Sequence, residues 1–212
     1  MTLADDDAEE AKVAAARQAS FEEAQRLGSE LAEILGNSCS SGEPMPDAAV
    51  NALRALVSHI AGGRGWFVSL LTNPDYEPIF VPPLDEGLLS AIEASPDPNA
   101  KLMTMNVAMS TATELVHQAN CKPHLAAASR LTRERSKALA VALIDRMPAL
   151  RASIEALKQA VQPLAVGDGE TRRATSVEPE IAEWHDFCRK WGYGPEQRGA
   201  IRTELEEILA KV

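Results

Sequence analysis

Aromatic side chains are scarce in this chain, with Phe, Trp and Tyr together supplying 4% of 212 residues. The core must therefore rest on Leu, Ile, Val, Met and Ala, a supply that suits close helix packing better than a sandwich of aromatic and β-branched strands. Cysteine is also sparse. Cys39, Cys121 and Cys188 are odd in number and include no C-x-x-C pair, so they read as free thiols in a reducing compartment rather than as a disulfide framework or a zinc site. No run approaches the roughly 18 apolar residues of a membrane span. The opening Met1 to Glu10 is acidic instead of basic-then-apolar, which argues against a secretory leader and for a cytoplasmic protein. Basic charge is in deficit as well, since the formal net charge is -10. Neither nucleic acid nor an anionic membrane is an expected partner for such a surface.

What is present is ordinary for a globular chain, with 45% hydrophobic and 25% charged residues, enough for one domain or a domain with an appendage. The charge is unevenly laid out. Asp5, Asp6, Asp7, Glu9, Glu10, Glu22, Glu23, Glu30 and Glu33 face only Lys12, Arg17 and Arg26, and residues before about Val13 are expected to fray. Ser20-Phe21-Glu22-Glu23 has the form of a capping box, after which Ala24, Leu27, Leu31 and Ile34 recur at helical spacing until about Gly36. Gly36 to Pro46 reads as a loop. Asp47 is a candidate N-cap for a helix that carries Val50, Leu53, Val57 and Ile60 on one stripe. Gly62, Gly63 and Gly65 around Arg64 read as a tight interhelix turn. They lack the Gly-Lys-Ser/Thr ending of a phosphate-binding loop and follow no strand. Trp66, Phe67, Leu70 and Leu71 fit a short helix.

Six prolines from Pro74 to Pro98 predict an irregular segment, broken by a short helix around Leu88 and Ile92. Asp97, with Pro98 in the first turn, is expected to cap a long helix. Leu102, Met105, Met109, Ala112 and Val116 form one of its faces, and Met103 and Val107 lie opposite, so this helix should be covered on two sides. After a turn at Asn120 and Cys121, Pro123 starts a second long helix that runs to about Met147. Pro148 breaks it, and Leu150, Ile154, Leu157, Val161 and Leu164 then follow a 3-4 spacing suited to a core face or to a dimer seam. The fold class is thus all-α: an irregular multi-helix bundle built on a long central helical hairpin. Its divisions are an acidic N-terminus (1–19), the bundle (20–162), a linker (163–179) and a C-terminal helical hairpin (180–212).

Few residues suggest chemistry. Glu114 and His117 have the E-x-x-H spacing of di-iron bundles, but such sites need a second copy that this sequence lacks. No Gly-x-Ser-x-Gly elbow or recognisable thiol signature is present. No metal, cofactor or catalytic residue is therefore assigned. Basic residues are more informative, because Lys122, Arg130, Arg133 and Lys137 fall on one helical stripe. That stripe suits an acidic or phosphate-bearing partner, and equally suits neutralisation by the acidic first helix or simple solvation. Arg135 projects into the apolar arc among Ala128, Leu131, Leu139 and Ala142, so its guanidinium needs a partner. In an antiparallel hairpin it lies level with Asn106, while Glu114 is ~12 Å out of register. Arg135 is expected to meet Asn106 or an acid from a third element, and with Arg130, Arg133 and Lys137 these form the candidate ligand-binding set.

In the C-terminal hairpin Trp184, Phe187 and Trp191 precede the turn Gly192-Tyr193-Gly194. Trp184, Trp191 and Tyr193 must dock either on the main body or on a partner, and are the candidate partner-binding residues. DNA binding there is disfavoured, because four glutamates outweigh Arg198 and Arg202. Arg172-Arg173-Ala174-Thr175-Ser176 has the pattern used by basophilic protein kinases, which makes Thr175 a candidate modification site in a eukaryotic host.

The phrases Gly65-Trp66-Phe67-Val68-Ser69-Leu70-Leu71-Thr72, Met105-Asn106-Val107-Ala108-Met109-Ser110-Thr111-Ala112 with His117, and Trp191-Gly192-Tyr193-Gly194-Pro195-Glu196-Gln197 resemble uncharacterised all-helical proteins of cyanobacteria. The matching pieces cover under half of the chain and are not catalytic motifs. The resemblance implies a cyanobacterial or plastid setting and no known activity. The expected function is a non-enzymatic helical scaffold or adaptor that binds a protein partner or a second copy of itself. The alternative is a small-ligand-binding protein or enzyme with its pocket around Arg135 and Asn106.

Overall fold

The structure, a computed structural model, describes residues 3–162 and 178–211, with side chains from Glu10 onward. Thr175 and its two arginines, Leu164 and most of the expected linker lie outside the described residues. Ten α-helices, one 3-10 helix and no strand make up the described residues. The all-α reading of the sequence therefore holds.

The helices are α1 (Leu3–Arg17), α2 (Phe21–Ser41), α3 (Asp47–Leu56), α4 (Ile60–Thr72), a 3-10 turn (Pro74–Phe80), α5 (Glu86–Glu93), α6 (Pro96–Ala119), α7 (Pro123–Leu143), α8 (Pro148–Ala160), α9 (Pro179–Lys190) and α10 (Pro195–Ala210). Each of the last five opens on proline, where the missing N–H would have had no intrahelical partner. The capping box at α2 is formed in both directions. Glu23 N–H donates to Ser20 Oγ at 3.3 Å, and Ser20 N–H to Glu23 Oε2 at 2.8 Å.

Several helix boundaries differ from the sequence reading, among them the end of α7, which falls at Leu143 and not near Met147. α2 runs past Gly36 to Ser41 and ends at Gly42, whose φ of 72° supplies the left-handed residue of the C-cap. Leu35 and Ser38 are buried, and tertiary burial there overrides the loop-like composition. The glycines at 62, 63 and 65 are not a turn but belong to the first half of α4. Their use is close approach. A Cβ on Gly65 would sit 2.5 Å from that of Ala24 on α2, and one on Gly62 would collide with the carbonyl of Leu56. The turn instead falls at residues 57–59, where the His59 ring caps α4 by accepting from Gly62 N–H at 3.2 Å. Asp97 likewise lies inside α6, whose N-cap position is Ser95.

α6 and α7 fold back on each other as the most extensively packed pair, and α2 and α4 form the next. α8 packs on α6, α9 on α8, and α10 on α6. Leu150, Ile154 and Leu157 are completely buried, so the α8 stripe is a core face of this chain and not an exposed seam. Trp184, Cys188, Ile201, Leu205 and Ile208 are buried too, and the C-terminal hairpin thus docks on its own body. Arg198 fastens it by donating to the Ala160 carbonyl at the end of α8 at 3.3 Å.

Candidate functional site

The hydrophobic positions of α6 divide between two environments. Met103 and Val107 are buried in the centre, whereas Leu102, Met105 and Met109 line a groove bounded by α4 and α9. The expected apolar face of α6 is therefore real but only partly covered, and Val116 at its end is exposed. Across the groove, α4 presents Ile60, Arg64 and Val68 at four-residue spacing. Ile60 was expected on the buried stripe with Leu53 and Val57. It is 63% exposed because the chain turns between Val57 and Ile60 and starts a new helix. α9 closes the third side with Phe187, Lys190 and Trp191. Trp191 is 49% exposed and Val68 39%.

This groove measures about 1090 Å³. It groups most of the large hydrophobic side chains that the fold leaves accessible, Ile60, Val68 and Trp191 among them. Clustered exposed apolar surface of this kind marks binding sites more often than scattered residues do. Arg64, Lys101 and Lys190 stand on its rim against Asp97. Lys101 is paired with Glu183, and Arg64 lies 5.2 Å from the centre of the Phe21 ring. Among the described residues neither Arg64 nor Lys190 has an acidic partner.

The ligand set expected from sequence is not gathered in one place. Arg135 is 3% exposed. Its Nη1 donates to the carbonyls of Leu70, Leu71 and Asn73 at 3.4, 3.3 and 2.6 Å, and its Nη2 to Pro74 at 3.3 Å. Leu70 and Leu71 belong to the last turn of α4, whose carbonyls lack intrahelical partners, so the guanidinium works as a C-terminal cap while its face rests on Phe80, 4.8 Å from the ring centre. Burial pulls its pKa below the usual arginine range, an effect opposed by nearby Glu77. The expected contact with Asn106 is not made. Asn106 lines the groove instead. Arg135 does meet a third element, but through backbone carbonyls and not through an acid.

Three of the four residues of the basic stripe of α7 are engaged by acids, while Lys122 is exposed and forms no ion pair among the described residues. Glu114, 3% exposed, accepts from Arg130 Nε at 2.9 Å and from Arg133 Nη1 at 2.5 Å. Glu204 of α10 pairs with Arg133 at 3.3 Å and with Lys137, which also reaches Glu207 at 2.5 Å. The neutralising acids thus come from α6 and α10 and not from the first helix. This network pins α7 between its neighbours. Of the three aromatic candidates, Trp184 and Tyr193 are buried and only Trp191 is accessible. Sequence reasoning missed Ile60, Val68, Met105 and Met109 as a common surface, because each sits in a pattern that also describes a core face.

No cluster of three or more His, Cys, Asp or Glu side chains that could hold a metal occurs among the described residues. No helix among them is long and apolar enough to cross a membrane.

Residues 20–208 match the family described as uncharacterised conserved protein UCP020893. The chain belongs to that family. No curated protein and no solved structure matches it. The family match begins at the capping box of α2 and reaches the last turn of α10, so it takes in all three walls of the groove.

Proposed function

We propose that this member of the family is a non-enzymatic helical adaptor that receives a protein partner in the groove between α4, α6 and α9. The observation that carries this reading is the grouping of accessible Ile60, Val68 and Trp191 with Met105 and Met109. In contrast, Arg130, Arg133, Arg135 and Lys137 of the central hairpin are engaged within the fold. An aromatic anchor beside adaptable methionine side chains is a composition that suits protein recognition. The resemblance to cyanobacterial helical proteins supports a cytoplasmic setting in such a cell, or the plastid stroma. The rival reading, a small-ligand pocket on Arg135 and Asn106, is weakened by the separation of those residues and by the saturation of Arg135 with carbonyls.

Photocrosslinking in the native cell tests the proposal. A photoreactive residue at position 68 is expected to yield a discrete protein adduct, whereas one at exposed position 155 on α8 yields none. Equal labelling from both positions, or none from position 68, would overturn it.

A further inference from the structure

The charged residues that line the groove are Arg64, Lys101 and Lys190 against the single acid Asp97, a basic balance in a protein whose net charge is -10. Arg64 on α4 and Lys190 on α9 flank the apolar surface from two sides and lack acidic partners among the described residues. Lys101 also lines the groove and is held by Glu183 of α9. α6 lines the groove from Asp97 to Met109, with Leu102, Met105 and Met109 as its apolar floor and Asp97 and Lys101 at its charged end. The twelve rises of helix from Asp97 to Met109 give the groove a length of about 18 Å along α6. A drug-sized molecule would fill only part of such a trough. A partner helix of about three turns would run its length, with apolar anchors at i, i+4 and i+7 against Met105, Met109, Val68 and Trp191. Its flanks would then lie beside Arg64 and Lys190, where carboxylates are favoured and lysines are repelled.

Resting on the adaptor reading, we propose that the groove binds an amphipathic helix from another protein, apolar on one face and acidic on its flanks. Shape selects the helix, and the charged rim selects its sign. Methionines on the floor let the site accept different apolar anchors, so the charge of the flanks becomes the main discriminator among amphipathic helices.

A peptide-display library of helix-forming 16-residue sequences with randomised surface positions tests this on the intact protein. Selection on the wild-type chain is expected to enrich peptides with apolar residues at i, i+4 and i+7 and with Asp or Glu beside them. Val68→Glu, at a solvent-accessible position that should tolerate the change, is expected to weaken the selected peptides about tenfold or more. The paired reversal Arg64→Glu with Lys190→Glu is expected to switch enrichment towards basic flanks, and circular dichroism monitors folding of every variant. Neutral or basic flanks on the wild type, or a charge preference unmoved by the reversal, would overturn the acidic-helix inference while leaving the adaptor reading intact. Peptides indifferent to Val68→Glu would remove the groove itself from both. Sedimentation and vesicle flotation provide the remaining arms. Self-association abolished by Val68→Glu would assign the groove to a second copy, and flotation with phosphatidylcholine vesicles abolished by the same change would assign it to lipid; either result overturns the inference.

Discussion

Arg135 shows how one side chain can join distant parts of a helical protein. Its guanidinium supplies donors to four carbonyls, those of Leu70 and Leu71 in the last turn of α4 and those of Asn73 and Pro74 in the turn that follows. A flat fork with five N–H groups fits this task, whereas an ammonium group cannot reach as many acceptors in one plane. Arg135→Met is therefore expected to lower unfolding free energy by about 3 kcal/mol, because buried carbonyls lose their donors. Arg135→Lys should recover little of it. Urea titration followed by circular dichroism checks both, and a loss below about 0.5 kcal/mol in Arg135→Met would show that water replaces the guanidinium without difficulty. The apolar surroundings of Arg135 were legible in the periodicity of α7. Its actual partner was not, since residues 70–74 stand about 60 positions earlier and no local pattern points to them.

At the scale of elements, small residues decide how closely two helices pass. α2 and α4 meet where Gly65 faces Ala24 and where Gly28 faces the backbone of Trp66. Ser69 adds a hydrogen bond to the carbonyl of Gln25 at 2.8 Å. Gly65→Ala is expected to destabilise the fold by about 1–3 kcal/mol, because the new methyl has rigid atoms on the facing helix as neighbours. A thermal melt would read this directly, and an unchanged or raised midpoint would mean that α2 shifts freely. The same glycines misled the sequence reading. Glycine commonly breaks helices by its own conformational freedom, and only the opposing Ala24 shows that here it serves contact. By contrast, the capping box at Ser20 and the proline starts of α7, α8 and α10 were readable, for they are set by neighbours within a few residues.

For the whole molecule, the basic residues of the central helices become ties to acids on other helices. Arg146 joins Glu86 and Glu93 of α5 to the corner between α7 and α8, at 2.7 and 2.6 Å. Lys137 and Arg133 join α7 to α10. Hydrogen bonding from Arg146 holds the Glu86 carboxyl below its ordinary pKa of 4.5, and that from Lys137 does the same for Glu207. A carboxylate with a lowered folded-state pKa stabilises the fold above its unfolded pKa and ceases to do so as pH falls through the folded value. Denaturant midpoints are accordingly expected to decline between about pH 5 and about pH 3, while added salt should lower stability at neutral pH because the ties are solvent-accessible. Constant midpoints down to about pH 3 would contradict this assignment.

The amino-acid order by itself determined that this protein is helical, where most of its helices begin, and that Arg135 and the C-terminal tryptophans needed partners. Those properties follow from contacts within one or two turns and from the alternation of apolar and polar residues. Tertiary structure decided the rest: that Trp184 enters the core while Trp191 does not, that α10 answers the basic stripe of α7, and that α4, α6 and α9 leave an apolar trough between them. A periodic stripe records only that a face is greasy. Whether another helix of the same chain covers that face depends on crossing distances and loop paths that no short stretch of sequence contains.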